Sequence, residues 1–212
     1  MAVGEHIHVR AVIGNAKLTR PFTPVMIEAA DGIVRPHMFI RLYDCHGMST
    51  HFSRLSAGSS LSIRGPVPTS ENITRAFSGK VCVLVAGGSG IAPIFQLLQF
   101  AHVNSSYHDR RIILAQCARD HTGVWLAKEI SQFASEMAGL SYHVFLSQEP
   151  HTGDSIALPV HVTCKRMGLE SLRLLVPRDV ANGHAVVCGP GTFNQDISSW
   201  LDRLGMEDIQ VL

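Results

Sequence analysis

What the chain lacks narrows its chemistry. Its 212 residues contain no Cys-x-x-Cys pair, and the five cysteines (Cys45, Cys82, Cys117, Cys164 and Cys188) are scattered. That spacing argues against a zinc knuckle or an iron–sulphur cradle. It also offers no regular disulfide framework, which favours reduced thiols and a cytoplasmic setting. There are 12 histidines, yet none forms H-E-x-x-H, and no metal site is expected. His6 and His8 alternate in "GEHIHVRA" and read as surface residues on one strand face. No G-x-x-x-x-G-K-[ST] occurs, which disfavours a P-loop nucleotidase. Charge of one sign is missing too: 18 Lys and Arg against 17 Asp and Glu leave +1. Nothing electrostatic therefore points to nucleic acid or an anionic bilayer as partner. No secretory leader is legible, and no apolar run is long and unbroken enough to span a membrane.

What is present changes rhythm once. An apolar share of 46% against 17% charged residues is enough for a sizeable core. Up to about Gly65 the chain reads as short strands and turns, with "EHIHVRAVI", "HMFIRLYD" and "SSLSIRGPV" as β-rich runs. Strands at this spacing predict a small antiparallel barrel or sandwich. "PTSENITRAFSGK" is polar and unpatterned and reads as a connection. From Val81 strands alternate with helices: "VCVLVA", "APIFQLLQFAHV", "RRIILAQC", "WLAKEISQFASEM", "SYHVFLSQ", "HAVVCG", "TFNQDISSWLDRLG" and a short "IQVL". That alternation predicts βαβ units around a parallel sheet. The expected division is 1–68 for the β-rich domain, 69–80 for the linker and 81–212 for the α/β domain.

Two strand ends in the second half are rich in glycine, "AGGSGIAP" and "CGPGTF". Ligands of open parallel sheets sit beyond the carboxyl ends of strands, where glycine lets a phosphate approach backbone N–H groups. Taken singly, the first is a partial fingerprint that also suits a tight packing turn, and the second also suits a β-turn.

Five segments in order carry a resemblance. "RPFTPV" (Arg20 to Val25) resembles an Arg-x-Tyr-Thr/Ser flavin motif, and "FIRLYD" resembles the strand that lines the flavin. "GMSTHFSRLSAGSSLSIRGP" is similar to a Gly-x-Met-Ser phosphate turn, short helix and closing Gly-Pro. "AGGSGIAP" and "CGPGTF" stand where the pyridine-nucleotide motifs belong. The family is the ferredoxin–NADP reductase superfamily, with NAD(P)H–cytochrome b5 reductases as its nearest branch. The resemblance implies an FAD-type β-barrel followed by an α/β nucleotide-binding domain. It implies FAD and NADH or NADPH as cofactors, and a haem electron acceptor such as cytochrome b5 as partner.

The resemblance also implies roles. Arg20 pairs with the FAD pyrophosphate, for which a guanidinium is well shaped. Pro21 and Phe22 line the flavin, and Thr23 offers its hydroxyl near the flavin N5. The backbone of Gly47, Met48 and Ser49 cradles the pyrophosphate, while Arg41 and Tyr43 lie along the ribityl and phosphate chain. Gly88, Ser89, Gly90 and Pro93 pass close to the nicotinamide nucleotide, as do Gly189 and Pro190. Cys188 stands at the hydride-transfer position, so Thr23 and Cys188 are the expected catalytic pair.

Some positions depart from the family pattern. Phe22 stands where tyrosine is usual, Ala92 replaces a common threonine, and the final "VL" supplies no aromatic ring. "GEHIHVRA" resembles the "PGQH" strand, which normally follows earlier barrel strands; here Met1 stands almost directly before it. The flavin barrel is therefore expected to be short. The alternative it leaves is an NAD(P)-binding module or truncated form without stable FAD or catalysis. Any membrane attachment is expected through a segment or partner absent from this chain. In "AQCARDHT", Arg119 suits a 2′-phosphate and NADPH, whereas Asp120 suits a ribose hydroxyl and NADH. Ser147 in "FLSQEP" stands about where b5 reductases carry an aspartate associated with NADH.

Overall fold

A computed structural model describes residues 1–43, 47–69, 72–148, 160–178, 180 and 182–212. Asp44 of the "HMFIRLYD" run, Cys45, Ser70 and Glu71 of the connection, and residues 149 and 150 of "FLSQEP" lie outside the described residues. The chain divides into two compact units, Met1–Asn72 and Ile73–Leu212.

The first unit contains β1 (His6–Ile13), β2 (Ala16–Phe22), β3 (Val25–Glu28), β4 (Val34–His37), α1 (Met48–Ser53) and β5 (Ser62–Val67). β1 is the centre of an antiparallel sheet ordered β2-β1-β5, and β3 pairs with β4 in a second. The alternation of β1 sends Ile7, Val9 and Ala11 to the buried face and His6, His8 and Arg10 to the other. The expected barrel thus takes the form of two open antiparallel sheets. The strand expected over "FIRLYD" does not form; the nearest strand, β4, ends at His37 and residues 38–43 carry no ladder. Phe39 and Ile40 have strand propensity, but propensity alone does not make a strand.

The second unit contains β6 (Val81–Gly87), α2 (Ile91–Val103), β7 (Arg111–Ala118), α3 (Ala127–Glu136), β8 (Leu140–Leu146) and β9 (His161–Thr163). It continues with α4 (Leu169–Leu175), β10 (His184–Cys188), α5 (Gly191–Arg203) and β11 (Asp208–Val211). The six strands form one parallel sheet ordered β11-β10-β6-β7-β8-β9. Every residue of β6 is buried, as a strand covered on both faces requires. On one face Val83, Val85, Ala115 and Phe145 pack with Leu172 of α4 and Ile197 and Leu201 of α5. Strand alternation turns Leu84, Leu114 and Val144 to the other face, where α2 and α3 lie. There the fully buried Gln116 donates from Nε2 to the Trp125 carbonyl at 3.1 Å and accepts the Tyr142 hydroxyl on Oε1.

The polar connection is more ordered than its composition suggests. Residues 73–77 form a short helical turn with Ile73, Ala76 and Phe77 buried. Just beyond it Ser78 Oγ lies 3.0 Å from His184 Nε2, and His184 Nδ1 lies 2.8 Å from Asp208 Oδ2. Arg75 Nη2 donates to the other oxygen of Asp208 at 2.8 Å. This chain of contacts clasps the turn to the amino ends of β10 and β11, opposite the glycine loops. Ser78 Oγ also lies 2.8 Å from the Arg75 carbonyl, so its proton is directed to the backbone. Replacing His184 with Ala breaks the clasp at its centre and is expected to cost about 1–3 kcal/mol in urea unfolding. An unchanged unfolding midpoint would show the clasp to be energetically idle.

Candidate functional site

The sheet places the two glycine-rich strand ends side by side. From β6 the chain runs outward through β7, β8 and β9, then returns to β10 on the opposite flank of β6. Connections therefore leave β6 and β10 in opposite directions, and a crevice opens beyond their carboxyl ends. Cys188, the last residue of β10, pairs with Ala86, immediately before Gly87.

At this crevice the backbones touch. A Cβ on Gly90 would stand 2.0 Å from the Cys188 carbonyl oxygen, so only glycine fits. A Cβ on Gly189 would meet the Phe193 ring at 2.5 Å and one on Gly87 at 3.0 Å, so the ring is wedged against both glycines. Gly88, Ser89 and Gly90 form a single helical turn that feeds α2, and Pro190 precedes α5. Neither α2 nor α5 has a side-chain cap, and because the Ile91 N–H already bonds the Gly88 and Ser89 carbonyls, backbone donors for a ligand come from the glycine turn before α2 and from the start of α5, at adjoining strand ends. Pro93 occupies the first turn of α2, where a missing N–H costs nothing. Ser89 and Pro190 are exposed and Gly90 is buried. Burial pushes the Cys188 thiol up to about 12, so the group stays protonated at neutral pH. It is a neutral contact surface rather than a nucleophile. Arg119 follows β7, the other neighbour of β6, and is exposed.

The first unit gathers a different set. Opposite residues of an antiparallel pair share a face, and Leu18, Arg20 and Phe22 stand opposite Ala11, Val9 and Ile7. Arg20 is therefore on the buried face of the sheet, yet its side chain is exposed. It has no carboxylate partner among the described residues and reaches only the Thr19 carbonyl, at 3.3 Å. α1 packs on this same face. A Cβ on Gly47 would lie 3.6 Å from Leu18, and Phe52 meets Phe22 edge-to-face with centroids 5.2 Å apart. Arg20 stands between those two contacts. Gly47 precedes α1 with φ +65° and no side-chain cap, leaving the N–H groups of Met48 and Ser49 free of one. Ser49 Oγ instead accepts from the Tyr43 backbone N–H at 3.0 Å, and Arg41 lies 5.9 Å over the Tyr43 ring. Thr23 follows β2, with no hydrogen-bond partner for its hydroxyl among the described residues. Pro21 stands opposite His8, on the other face from Arg20. An unpaired guanidinium beside an uncapped helix start fits a pyrophosphate.

Motif reading did not single out two aromatic residues that shape these sites. Phe52 seats α1 on β2, and Phe193 seats α5 against the glycines. The only sequence signal for Phe193 was its place at the end of "CGPGTF". Among the described residues, no group of three or more His, Cys, Asp or Glu is placed to hold a metal. No described helix is long and apolar enough to cross a membrane.

Comparison with known proteins divides the chain similarly. The description "Oxidoreductase FAD-binding domain" matches residues 1–71, and "Oxidoreductase NAD-binding domain" matches residues 84–199. NADH-cytochrome b5 reductase 1 of Kluyveromyces lactis is 24% identical over 213 residues, covering 98% of this chain and 70% of that protein. Among solved structures, the CS-b5R domains of human Ncb5or in the NAD+ form superpose with a TM-score of 0.79 at 17% identity. That match covers 99% of this chain, which spans 60% of the length of the human one. The cytochrome b5 reductase domain of Ulva prolifera nitrate reductase gives 0.74 at 18% identity, covering 100% and 85%. With both domain descriptions matched in order on this fold, the chain belongs to the ferredoxin–NADP reductase superfamily as a cytochrome b5 reductase-like oxidoreductase with FAD-binding and NAD-binding domains.

Proposed function

We propose that the protein takes hydride from NAD(P)H onto FAD and passes electrons singly to a haem protein such as cytochrome b5. The observation that carries this reading is the close backbone approach of Gly90 to the Cys188 carbonyl, which brings the two glycine-rich strand ends together at the switch point. Flavin, when bound, supplies the conversion between a two-electron donor and one-electron steps. The chain's own part is binding, orientation and exclusion of water.

Arg20 and the N–H groups of Met48 and Ser49 hold the flavin pyrophosphate, with Arg41 and Tyr43 along its chain. Pro21 and Phe22 border the cofactor, and the Thr23 hydroxyl is a free donor for the flavin ring. Gly88, Ser89 and Gly90, with Pro93 behind them, hold the nicotinamide nucleotide, flanked by Gly189 and Pro190. Cys188 offers a neutral sulphur at the nicotinamide, which suits hydride transfer because a thiolate would add competing nucleophilic chemistry. The name of the Kluyveromyces lactis relative supports cytochrome b5 as acceptor.

The purified chain is expected to show flavin absorption that bleaches when NADH or NADPH is added without oxygen. A colourless protein that cannot be reconstituted with FAD would overturn the enzyme reading in favour of a nucleotide-binding module. Arg20→Ala removes a charge-assisted contact worth about 1.5–3 kcal/mol, so FAD affinity should fall roughly 10- to 100-fold in equilibrium dialysis. Unchanged flavin retention would remove Arg20 from the site. Iodoacetamide at pH 7.5 should label the exposed Cys164 and spare Cys82, Cys117 and Cys188, whose thiols burial keeps protonated. Peptide mass mapping reads this out, and rapid labelling of Cys188 would mean a thiolate at the site.

A further inference from the structure

The chain's charges balance overall, but the first unit sorts them. β1, β2 and β5 together hold Arg10, Lys17, Arg20 and Arg64 and no Asp or Glu. Opposite residues of an antiparallel pair share a face, so the register assigns each cation to a side. Arg20 belongs to the inner face, with Val9. On the outer face Arg10 stands between Thr19 of β2 and Ser62 of β5. Lys17 is two residues from Thr19 and Arg64 two residues from Ser62, so both are diagonal neighbours of Arg10 at roughly 7–8 Å. All three side chains are exposed. His8, opposite Arg64, and His6 extend the row along β1, with ring centroids 5.1 Å apart.

This spacing makes the charges act together. Lys17 and Arg64 each lie within about one Debye length of Arg10 at physiological ionic strength, so one anionic surface meets all three. Like charges gathered on a sheet face also oppose one another, and an anion facing them relieves that cost. The kind of anion follows from what accompanies the cations. Protein interfaces centre on large aromatic anchors in desolvated pockets. The outer-face positions of these three strands carry no Phe, Tyr, Trp or Met to serve as one. Their one strongly exposed aliphatic side chain is Val12, 63% exposed, directly opposite Lys17 and beside the turn at residues 14–15. Cations with a single shallow apolar residue at one end suit lipid headgroups above an acyl boundary, which ask for charge and no pocket.

We propose that the outer face of the β2-β1-β5 sheet docks on an anionic phospholipid bilayer, as a reversible peripheral contact through Arg10, Lys17 and Arg64. Each Lys or Arg close to such a surface strengthens partition about fivefold, so three give on the order of a hundredfold. The net charge of +1, which by itself points to no bilayer, averages over this face. Elsewhere in the unit the carboxylates are spent locally, as where Asp31 pairs with Arg35 at 2.6 Å.

The test is co-sedimentation of the full chain with sucrose-loaded vesicles, either pure phosphatidylcholine or containing about one third phosphatidylserine. The chain is expected to sediment with the anionic vesicles only, and to be released as salt rises from about 0.1 M to about 1 M. Arg10→Gln, Lys17→Gln and Arg64→Gln should each weaken partition about fivefold, and the triple variant about a hundredfold. A control triple, Lys128→Gln, Arg173→Gln and Arg203→Gln, removes as much charge from exposed positions of the second unit and should keep binding. Thermal melting confirms that each variant folds. No sedimentation, equal sedimentation with neutral vesicles, or an equal loss in the control triple would overturn the proposal. So would release by polyglutamate at matched anionic charge, which would assign the face to an acidic protein instead.

Discussion

The candidate nucleotide site depends on one backbone contact, the approach of Gly90 to the carbonyl of Cys188. It exists because β6 and β10 are neighbours whose connections diverge, so two strand ends and two helix starts share one crevice. A side chain at position 90 would push α2 away from β10 and part the two strand ends. The Phe193 ring serves the same geometry from below, resting where Cβ atoms of Gly87 and Gly189 would stand. The backbone donors are therefore set before any ligand arrives, and binding need not order them.

The second unit was largely legible in the sequence. Long apolar strands such as "VCVLVA" are buried on both faces, and amphipathic runs such as "WLAKEISQFASEM" supply the helices that cover them. What escaped were short elements in segments without a period. β9 has three residues and α4 has seven, too few for a periodicity to register. The turn at residues 73–77 escaped for another reason. Its buried Ile73, Ala76 and Phe77 are spaced at three and one, amid residues typical of loops.

The first unit was legible in its motifs more than in its strands. "RPFTPV" and "GMS" are recognisable as strings, but the register makes them a site by placing Arg20 on the buried face beneath α1. That pairing belongs to β1 and β2 together and cannot be read from either alone. "FIRLYD" shows the converse, since its described residues 39–43 are rich in strand formers and yet belong to no strand. Arg20 shares the inner face yet keeps its side chain exposed, so its charge stays solvated and is left without a carboxylate among the described residues.

Asp120 shows how residue type and residue role can part company. By type it is the acceptor for a sugar hydroxyl; by connectivity it is part of the scaffold, because the turn after β7 hangs on its carboxylate. Altering it would disturb the loop's shape before it touched ligand choice. Such a position ties the evolution of selectivity to its neighbours. A change of ligand preference at this loop has to come through residues that do not hold the turn, and the carboxylate stays as the fixed post around which they are exchanged.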